Sequence, residues 1–391
     1  MTIEQLTSDK CCGCAACVEK CPVKAITMKY DNNFDRVPVV DTKTCISCGQ
    51  CVKICPRFND TCNQIDINTV YLGSYKNKEL EKKSSSGGLF AALAHYFFNQ
   101  GGIVYGAAMV YENKRLQCRH IRVENVEDIH LLQGSKYIQS RTDGIFGKVK
   151  KDLKDGKIVL FSGTSCQVAS IKRFIGENKN LYTVDLVCHG VPKDILFNDY
   201  IDYYEKKHNC IVKDISFRAK GIYWHGKEMK HVLTLKIEKN ATIYHDVLIE
   251  PQSSYYCLFM ERAGYRKSCY NCIYAKVDKP SDITLGDYTL TTKENNDYNL
   301  PLNHTYSTII THNERGQQLL REIKPDLLLS EVSSSEVIAR HGNLNHPSVI
   351  TADGKILYDA YLTGGFLKVQ SIVNYWYFKS RIKWLLTSWL K

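Results

Sequence analysis

One cysteine spacing occurs twice near the start of the chain and restricts its folding more than any other feature. The first copy is DKCCGCAACVEKCPVKAI, residues 9–26, and the second is KTCISCGQCVKICPRF, residues 43–58. Each contains the spacing C-x2-C-x2-C-x3-C-P. Structural zinc sites usually pair two CxxC motifs across a longer gap. Four closely spaced cysteines in series, repeated once, therefore argue against a zinc site and against a disulfide-rich domain.

The doubled spacing is the pattern of bacterial two-cluster ferredoxins. Three thiolates separated by two residues can hold one 4Fe-4S cluster, whereas the fourth, which precedes the proline, ligates the other cluster. The predicted ligands are Cys11, Cys14, Cys17 and Cys55 for one cluster, and Cys45, Cys48, Cys51 and Cys21 for the other. Cys12 falls outside the spacing and is expected to be a spare thiol.

The composition indicates a globular protein in a reducing compartment. A chain of 391 residues with 44% hydrophobic and 24% charged residues is long enough for two or three domains. The sequence shows no apolar run that could cross a bilayer, and its start, MTIEQLTSDK, lacks the features of a signal peptide. Seventeen cysteines then favour the cytoplasm, where thiols stay free to bind metal.

The formal net charge of +11 belongs mostly to the later part of the chain. Residues 1–60 contain eight Lys and Arg against seven Asp and Glu, so about +10 lies beyond them. A basic surface favours acidic partners, and an acidic electron carrier such as a ferredoxin or flavodoxin fits the cysteine motif. Nucleic acid is not expected, because no basic helix or aromatic platform of a known binding type is found.

Two loops could contact a phosphate group. In SSSGGLF, the residues Ser85, Ser86, Gly87 and Gly88 precede a helix that is predicted to begin near Leu89, with the strand GGIVYGAAMV after it. Backbone amides at a helix N-terminus favour an anion, although a simply capped helix has the same sequence pattern. In LLQGSKYIQS, the residues Ser135, Lys136 and Tyr137 offer hydroxyls and a cation, or form an ordinary surface turn.

Strand, turn and helix signals then follow twice in succession. A buried strand at residues 157–161 leads through a turn to Cys166, at the start of a helix. A second strand ends near Val187, with Cys188 and His189 in the turn and a helix after Pro192. This order predicts parallel strands with both cysteines at their carboxyl ends, where ligands bind in such sheets.

Two further cysteines form a separate CxxC motif. Cys269 and Cys272 make a CxxC ahead of a strand predicted at residues 282–285. Together with the two cysteines at the sheet edge they give four thiols, enough for a third metal site. The residues alone leave open the alternative of two buried cysteines and an unrelated CxxC.

Several segments resemble the family of coenzyme F420 hydrogenase/dehydrogenase beta subunits, which also includes plant 7-hydroxymethyl chlorophyll a reductase. They are SSSGGLF, QGSKY, FSGTSCQVASIK, DLVCHGVP, ISFRAKG and CIYAKVDKPSDITLGDY, and they span residues 84–288. The resemblance implies a non-covalently bound FAD beside a third 4Fe-4S cluster. Its implied ligands are Cys166, Cys188, Cys269 and Cys272.

The resemblance also implies where the flavin lies. The implied contacts are Ser85, Ser86, Gly87, Gly88, Ser135, Lys136 and Tyr137 near its phosphates, and Gly163, Thr164, Ser165, Gln167 and Asp287 near its ring. Ser165 stands where the family usually has proline, and Thr289 where it usually has tryptophan. His189 is a candidate proton donor, because imidazole titrates near neutral pH; a structural hydrogen bond in a tight turn is the alternative.

The expected fold is α/β (α+β): a ferredoxin-like domain with two 4Fe-4S clusters, fused to a flavin-binding α/β domain with a partly parallel sheet. We call the first domain, residues 1–62, the head, and the remainder the body. The body is divided into residues 66–150, residues 151–300 and an extension at residues 301–391, with a polar connector at 62–69.

The expected function is electron transfer from a ferredoxin-type donor through the clusters to FAD and on to a small organic substrate, with a homo-oligomer as one possible state. The alternative is a non-catalytic electron-transfer subunit of a larger redox complex.

The last segment, NYWYFKSRIKWLLTSWLK, predicts a basic amphipathic helix. Apolar residues recur at steps of three and four from Tyr375 to Trp389, and no acidic residue follows Asp359. Such a helix could lie in an anionic membrane interface, which would place the protein at the inner face of the membrane. Alternatively, it packs on the body or on another subunit.

Overall fold

A computed structural model of the chain describes residues 2–58, 70–224, 227–229, 232–249 and 252–388. The predicted connector lies almost entirely outside these residues. The head consists of short elements: α1 (Ala16–Lys20), β1 (Ile26–Tyr30), β2 (Arg36–Val40) and α2 (Gln50–Ile54). Strands β1 and β2 pair in antiparallel fashion, with Ile26 opposite Val40.

The two cysteine motifs fold in the same way. Gly13 and Ser47, each two residues after the first cysteine of its copy, have φ of +68° and +54°. Ala15 and Gly49, four residues after it, have φ of +58° and +70° and precede α1 and α2. These left-handed residues turn the backbone amides toward the first thiol: Gly13 N lies 3.4 Å from Cys11 Sγ, and Ser47 N lies 3.4 Å from Cys45 Sγ. Each motif therefore wraps around its own pocket.

The body alternates strands and helices in its first half. Its elements are β3 (Val70–Tyr75), α3 (Lys78–Lys82), α4 (Leu89–Asn99), β4 (Ile103–Glu112), β5 (Arg115–Val123), α5 (Ile129–Leu132), α6 (Ile145–Lys154), β6 (Val159–Ser162), α7 (Ser165–Ile175), β7 (Leu181–Leu186) and α8 (Asp194–His208). The helix predicted to begin near Leu89 and the strand after it are confirmed as α4 and β4.

The second half adds a small sheet and several helices. Its elements are β8 (Ile211–Ser216), β9 (Tyr223–Trp224), β10 (Lys227–Glu228), β11 (Val232–Lys239), β12 (Thr242–Ile249), α9 (Ser254–Met260), α10 (Lys267–Tyr270), β13 (Ile283–Tyr288), α11 (Thr292–Tyr298), β14 (Tyr306–Thr311), α12 (Glu314–Ile323), β15 (Leu327–Val332), α13 (Ser334–Arg340) and α14 (Ala352–Ser388).

An eight-stranded sheet with the order β15-β3-β14-β13-β7-β6-β4-β5 organises the body. Strands β4, β6, β7 and β13 pair in parallel, and the outer strands pair in antiparallel fashion. The partly parallel sheet predicted from the sequence is therefore confirmed. Its central strands are apolar because helices cover both faces: Val159, Leu160 and Phe161 are fully buried.

A three-stranded sheet with the order β12-β11-β8 forms a second core with α8, α9 and α14. Helix α14 breaks at Gly364 and Gly365, where the backbone leaves helical geometry and Gly365 has φ of +60°. After the break, Phe366, Val369 and Val373 are buried in this core.

The predicted C-terminal helix is thus the end of α14, and its described part faces two environments. Trp376 packs partly against the core, whereas Tyr375 and Phe378 are 61% and 63% exposed. The side chains of residues 380–388 and all of residues 389–391, including Trp389, lie outside the described part. No helix among the described residues has the length and apolar character needed to span a membrane.

Candidate functional site

The predicted cluster ligands of the head fall into two separate pockets. The inner pocket is lined by Cys11, Cys14, Cys17 and Cys55, together with Cys12. The outer pocket is lined by Cys21, Cys45, Cys48 and Cys51. In each pocket the fourth thiol comes from the opposite motif, as the spacing of a two-cluster ferredoxin requires.

The two head pockets differ in exposure. Cys11, Cys17, Cys51 and Cys55 are buried, whereas Cys48 is exposed and its neighbour Ile46 is 61% exposed. The outer pocket therefore opens toward solvent. The inner pocket lies between the outer pocket and the body.

The four cysteines predicted as ligands in the body meet in a third pocket, which we call the body pocket. It is lined by Cys166, Cys188, Cys269 and Cys272, along with Thr164, Ser165, His189, Asn343 and Ser348. Cys166 lies in the first turn of α7, Cys188 follows β7, and Cys269 lies in α10. The carboxyl ends of β6 and β7 thus meet the CxxC segment, because these strands are parallel neighbours.

Four thiols line the body pocket, and a cubane cluster takes four, one at each of its irons. Among the residues that the structure describes, no group of three His, Cys, Asp or Glu side chains is placed to hold a single metal ion. Backbone amides also face these thiols: Gly190 N lies 3.4 Å from Cys188 Sγ, and Val191 N lies 3.5 Å from Cys269 Sγ.

Cys12, expected to be a spare thiol, connects two of the pockets. It lines both the inner pocket and the body pocket. Its side chain lies within hydrogen-bonding reach of Cys14 on one side and Cys166 on the other. The inner pocket and the body pocket are therefore adjacent, and Cys12 and Arg57 line both of them.

Burial affects the protonation of these thiols. It raises the pKa of Cys11 and of Cys188 to about 11 each, although Arg266 opposes the shift at Cys11. Burial also raises the pKa of Cys269 and Cys272. Metal ligation needs thiolates, so a metal would have to displace these protons on binding.

Body side chains hold the inner motif through its backbone. Thr142 Oγ1 donates to Cys14 O at 2.8 Å, and Gln139 Nε2 donates to Cys12 O at 3.3 Å. Arg266 Nη2 donates to Cys11 O at 3.0 Å. These contacts fix the inner pocket against the body.

The two loops predicted to contact flavin phosphates are neighbours. Ser85 Oγ accepts hydrogen bonds from Ser135 N at 2.7 Å and from Ser135 Oγ at 2.9 Å. Tyr137 stacks on Phe259 with ring centroids 4.0 Å apart, and its hydroxyl lies near Ser135 and Arg218. The structure therefore brings Ser85, Ser135 and Tyr137 together at one face of the sheet.

Other predicted phosphate contacts already have partners within the protein. Gly87 N donates to Ser307 Oγ at 3.0 Å, and a Cβ at Gly87 would lie 2.4 Å from Gly73 O, so this glycine permits close packing. Ser86 Oγ donates to Tyr306 O at 2.6 Å. Gly88, with φ of +77°, begins α4.

Lys136 points away from the serine loop. Its amino group donates to Gln133 O at 2.6 Å, and burial lowers its pKa to about 8. Lys220 instead reaches that loop, with hydrogen bonds to Ser86 O at 2.9 Å and Thr305 Oγ1 at 2.8 Å. A cation that contacts the serine loop thus comes from a different segment than the sequence suggested.

The turn after β6 is fixed by hydrogen bonds. Thr164 and Gln167 form a capping box for α7, and Gln167 Nε2 donates to Ser140 O at 2.9 Å. Ser165 is buried near Asp185. A Cβ at Gly163 would lie 3.0 Å from Gln167 Oε1. Of these residues, Thr164 and Ser165 line the body pocket directly.

His189 lines the body pocket and is exposed, and Asp287 lies near it. Partial desolvation and the nearby charge of Arg262 lower the pKa of His189, and Asp287 acts in the opposite direction. Asp287 forms an ion pair with Arg218. His341 is also near both Asp287 and His189. Two imidazoles and a charged pair thus lie near one another at this side of the pocket.

Some of these residues were not predicted as site residues. Arg218 and Lys220 lie in ISFRAKG, a segment that was recognised only as part of the family resemblance. His341, Asn343 and Ser348 follow α13, beyond the segments that resemble the family. The spacing of the cysteines gave no signal for them, because they approach the pocket only through the fold.

The fold and the three pockets define an iron-sulfur protein with a ferredoxin-like head and an α/β body. Residues 10–59 match the family model "4Fe-4S dicluster domain". Residues 70–145 match the amino-terminal model of the family "Coenzyme F420 hydrogenase/dehydrogenase, beta subunit", and residues 156–336 match its carboxyl-terminal model. The chain belongs to this family and carries two 4Fe-4S clusters in its head.

Two relatives of the chain come from Methanosarcina mazei and Methanocaldococcus jannaschii. The F subunit of "F(420)H(2) dehydrogenase" from Methanosarcina mazei is 24% identical over 56% of this chain and 65% of its own length. "Coenzyme F420-dependent sulfite reductase" of Methanocaldococcus jannaschii is 23% identical over 98% of this chain and 59% of its own length. The chain thus spans about three fifths of the length of these relatives.

Among solved structures, a chain of the F420-reducing [NiFe] hydrogenase complex from Methanosarcina barkeri is similar. The match has a TM-score of 0.46 and 13% identity, and it covers 78% of this chain and 94% of that chain.

Proposed function

We propose that this protein is an iron-sulfur flavoprotein oxidoreductase. It takes electrons from an acidic ferredoxin or flavodoxin at the head, and three 4Fe-4S clusters and FAD deliver them to a small organic substrate. The observation that carries the proposal is the uninterrupted series of three cysteine-lined pockets, in which Cys12 lines both the inner pocket and the body pocket.

The body pocket fits a third cluster. Its ligands would be Cys166, Cys188, Cys269 and Cys272, which come from three parts of the fold and enclose one space. Gly190 N and Val191 N would donate to the sulfur atoms, as amides commonly do at such clusters. Cys12 and Thr164 would form the wall toward the head and toward α7.

The adjacent face fits a flavin. Clusters transfer single electrons, and a flavin links this chemistry to the two-electron reduction of an organic molecule. Ser85, Ser135 and Tyr137 supply hydroxyls, and Arg218 and Lys220 supply positive charge for the diphosphate. His189 would supply a proton to the substrate side, since it lines the body pocket and is exposed.

The electron donor is proposed to dock at the outer pocket. Lys24 and Lys43 are exposed and lie within three residues of the outer-pocket thiols Cys21 and Cys45. They give an acidic carrier an attractive surface beside the cluster that lies nearest to solvent. This location leaves the inner cluster between the donor and the body.

A second candidate is an electron-transfer subunit without substrate turnover of its own. The name of one relative describes a subunit of a dehydrogenase, while the name of the other contains "sulfite reductase". The series of pockets favours the reductase, because the head gives this single chain its own site for electron entry from a soluble carrier. A subunit would show cluster and flavin reduction but no reduction of any substrate without a partner protein.

The experiment uses the anaerobically reconstituted chain. Reduced ferredoxin is mixed with it, and flavin bleaching is followed by stopped-flow absorbance; coenzyme F420, sulfite and a panel of organic metabolites are then screened as oxidants. A Cys269→Ser/Cys272→Ser variant should keep head-cluster reduction and lose flavin reduction. Equal flavin bleaching in this variant would overturn the proposed route, and turnover of no oxidant by the chain alone would favour the subunit.

A further inference from the structure

The longest charged side chain at the boundary between head and body is enclosed completely. Arg266 is 1% exposed and directly precedes α10, the helix that carries Cys269. Its guanidinium reaches into the head: Nη2 donates to Cys11 O and to Arg36 O, both at 3.0 Å. Nη1 donates to Gln139 Oε1 at 2.8 Å. A permanent positive charge therefore lies against the backbone of the inner motif.

The contact with the inner motif is very close. A Cβ at Gly13 would lie 2.9 Å from Arg266 Cζ and 2.6 Å from Gln139 Nε2, so a larger residue would have to displace these side chains. Gly13 N is also the amide that faces Cys11 Sγ at 3.4 Å. Arg266 thus packs on the turn that wraps the inner pocket, next to a ligand thiol.

The outer motif forms the same turn without this contact. Ser47 occupies the position that corresponds to Gly13, with φ of +54° and its amide 3.4 Å from Cys45 Sγ, but Ser47 is exposed. The two cluster sites therefore share their local geometry and differ in the charge placed against them.

The charges around Arg266 do not balance within the protein. Arg266 and Lys193 are both buried, and each lies 3.8 Å from a carboxylate oxygen of the fully buried Asp35. Two cations thus share one carboxylate. Buried charge without a counter-charge is costly, and a cluster ligated by Cys11 would place negative charge close to the guanidinium, which donates to Cys11 O.

We propose that Arg266 is a positioning residue that raises the reduction potential of the inner head cluster above that of the outer one. One-electron reduction by a ferredoxin-type donor would add one negative charge to a cluster held by Cys11, Cys14, Cys17 and Cys55, and the guanidinium would stabilise that charge. No bond forms or breaks, and Arg266 keeps its proton throughout, because guanidinium does not deprotonate in proteins. The difference favours electron movement from the exposed end of the head toward the body.

The test is a redox titration of the anaerobic full-length chain, followed by electron paramagnetic resonance. The signal that disappears in a Cys48→Ala variant is assigned to the outer cluster. Any signal that disappears in the Cys269→Ser/Cys272→Ser variant is assigned to the body pocket. Arg266→Gln should make reduction of the inner cluster at least tenfold less favourable, which is about 59 mV for one electron. Arg266→Lys should retain most of the wild-type potential, and the outer cluster should not change in either variant.

Two further variants separate charge from packing. Thr142→Val removes an uncharged hydrogen bond to Cys14 O at the same boundary. It should leave the equilibrium constant for reduction of the inner cluster within threefold of the wild-type value. Asp35→Asn is isosteric and removes the negative charge opposite Arg266, so it should shift the inner potential upward. Loosened packing cannot explain shifts of opposite sign for Arg266→Gln and Asp35→Asn.

An unchanged inner potential in cluster-loaded Arg266→Gln would overturn the proposal. If that variant does not fold, a downward or absent shift in Asp35→Asn overturns it equally. The readout needs neither FAD nor substrate, so this proposal can fail while the proposed function stands, and the reverse also holds.

Discussion

The eight cluster ligands predicted in the head lie within 45 residues, from Cys11 to Cys55, whereas the four thiols predicted as ligands in the body are spread over 107 residues, from Cys166 to Cys272. In the head, short turns with positive φ place each thiol, and cysteines form much of the small buried core. In the body, the strand order of an eight-stranded sheet brings the thiols together. The fold of the head therefore depends on its clusters, whereas the body pocket lies in a fold that has large hydrophobic cores of its own.

Cluster removal should give the largest difference between the two regions. The head has two five-residue helices and one pair of strands, too little packing to stay folded alone, so cluster binding supplies its folding free energy. We expect hydrogen exchange in the cluster-free chain to become fast throughout residues 2–58 and to stay slow in β4, β6 and β7. Fluorescence is a useful control, since all four tryptophans lie in the body. If the head amides stay protected from exchange in the cluster-free chain, the head does not depend on its clusters for folding, which contradicts this prediction.

Acid should weaken the body through buried histidines that the head lacks, because no histidine precedes His95. Burial lowers the pKa of His120 to about 4 and that of His312 to about 3. Because the unfolded chain binds these protons from about pH 6.5 downward, the free energy of unfolding is highest above that pH. It falls as the pH drops toward the folded values, by about 2 kcal/mol per histidine at pH 5.

Denaturant unfolding followed by tryptophan fluorescence at pH 7 and pH 5 checks this loss. His120→Gln and His312→Gln should each reduce the pH dependence, and His130→Gln is the matched control because His130 is exposed. If the free energy of unfolding depends on pH in both the His120→Gln and the His312→Gln variants as it does in the wild type, other groups control the stability in acid.

Charge reversal at the head should slow electron entry by a smaller amount. Lys24→Glu and Lys43→Glu together place negative charge beside the outer pocket, so the rate with an acidic ferredoxin should fall by roughly tenfold at low salt, the lower end of electrostatic steering. The difference should shrink as salt rises. Lys206→Glu, on the exposed side of α8 in the body, is the matched control. If Lys206→Glu slows entry equally, the donor docks on the body.

The end of α14 should give the smallest effect. Tyr375 and Phe378 are exposed beside the exposed Lys379, which suits weak contact with an anionic surface. We expect partial sedimentation of the full chain with anionic vesicles at low salt and less for a chain that ends at Gln370. Equal sedimentation of the two would leave α14 a structural helix only.

The sequence predicted the head more fully than the body for a physical reason. Ligand spacing is a local property, so the grouping of Cys21 with Cys45, Cys48 and Cys51 could be read directly. The strand and turn signals also placed Cys166 and Cys188 at one sheet edge. The role of Cys12 between two pockets, the cation Lys220 at the serine loop and the buried Arg266 depend on how distant segments pack. No spacing or periodicity in the sequence encodes those contacts.

Metal and flavin content tests the central claim most directly. The account predicts about twelve irons and one FAD per chain after anaerobic purification, from three 4Fe-4S sites. It predicts about eight irons for Cys269→Ser/Cys272→Ser, with the head signals intact. About eight irons in the wild-type chain, unchanged by this double substitution, would contradict the third cluster and with it the proposed route from head to flavin.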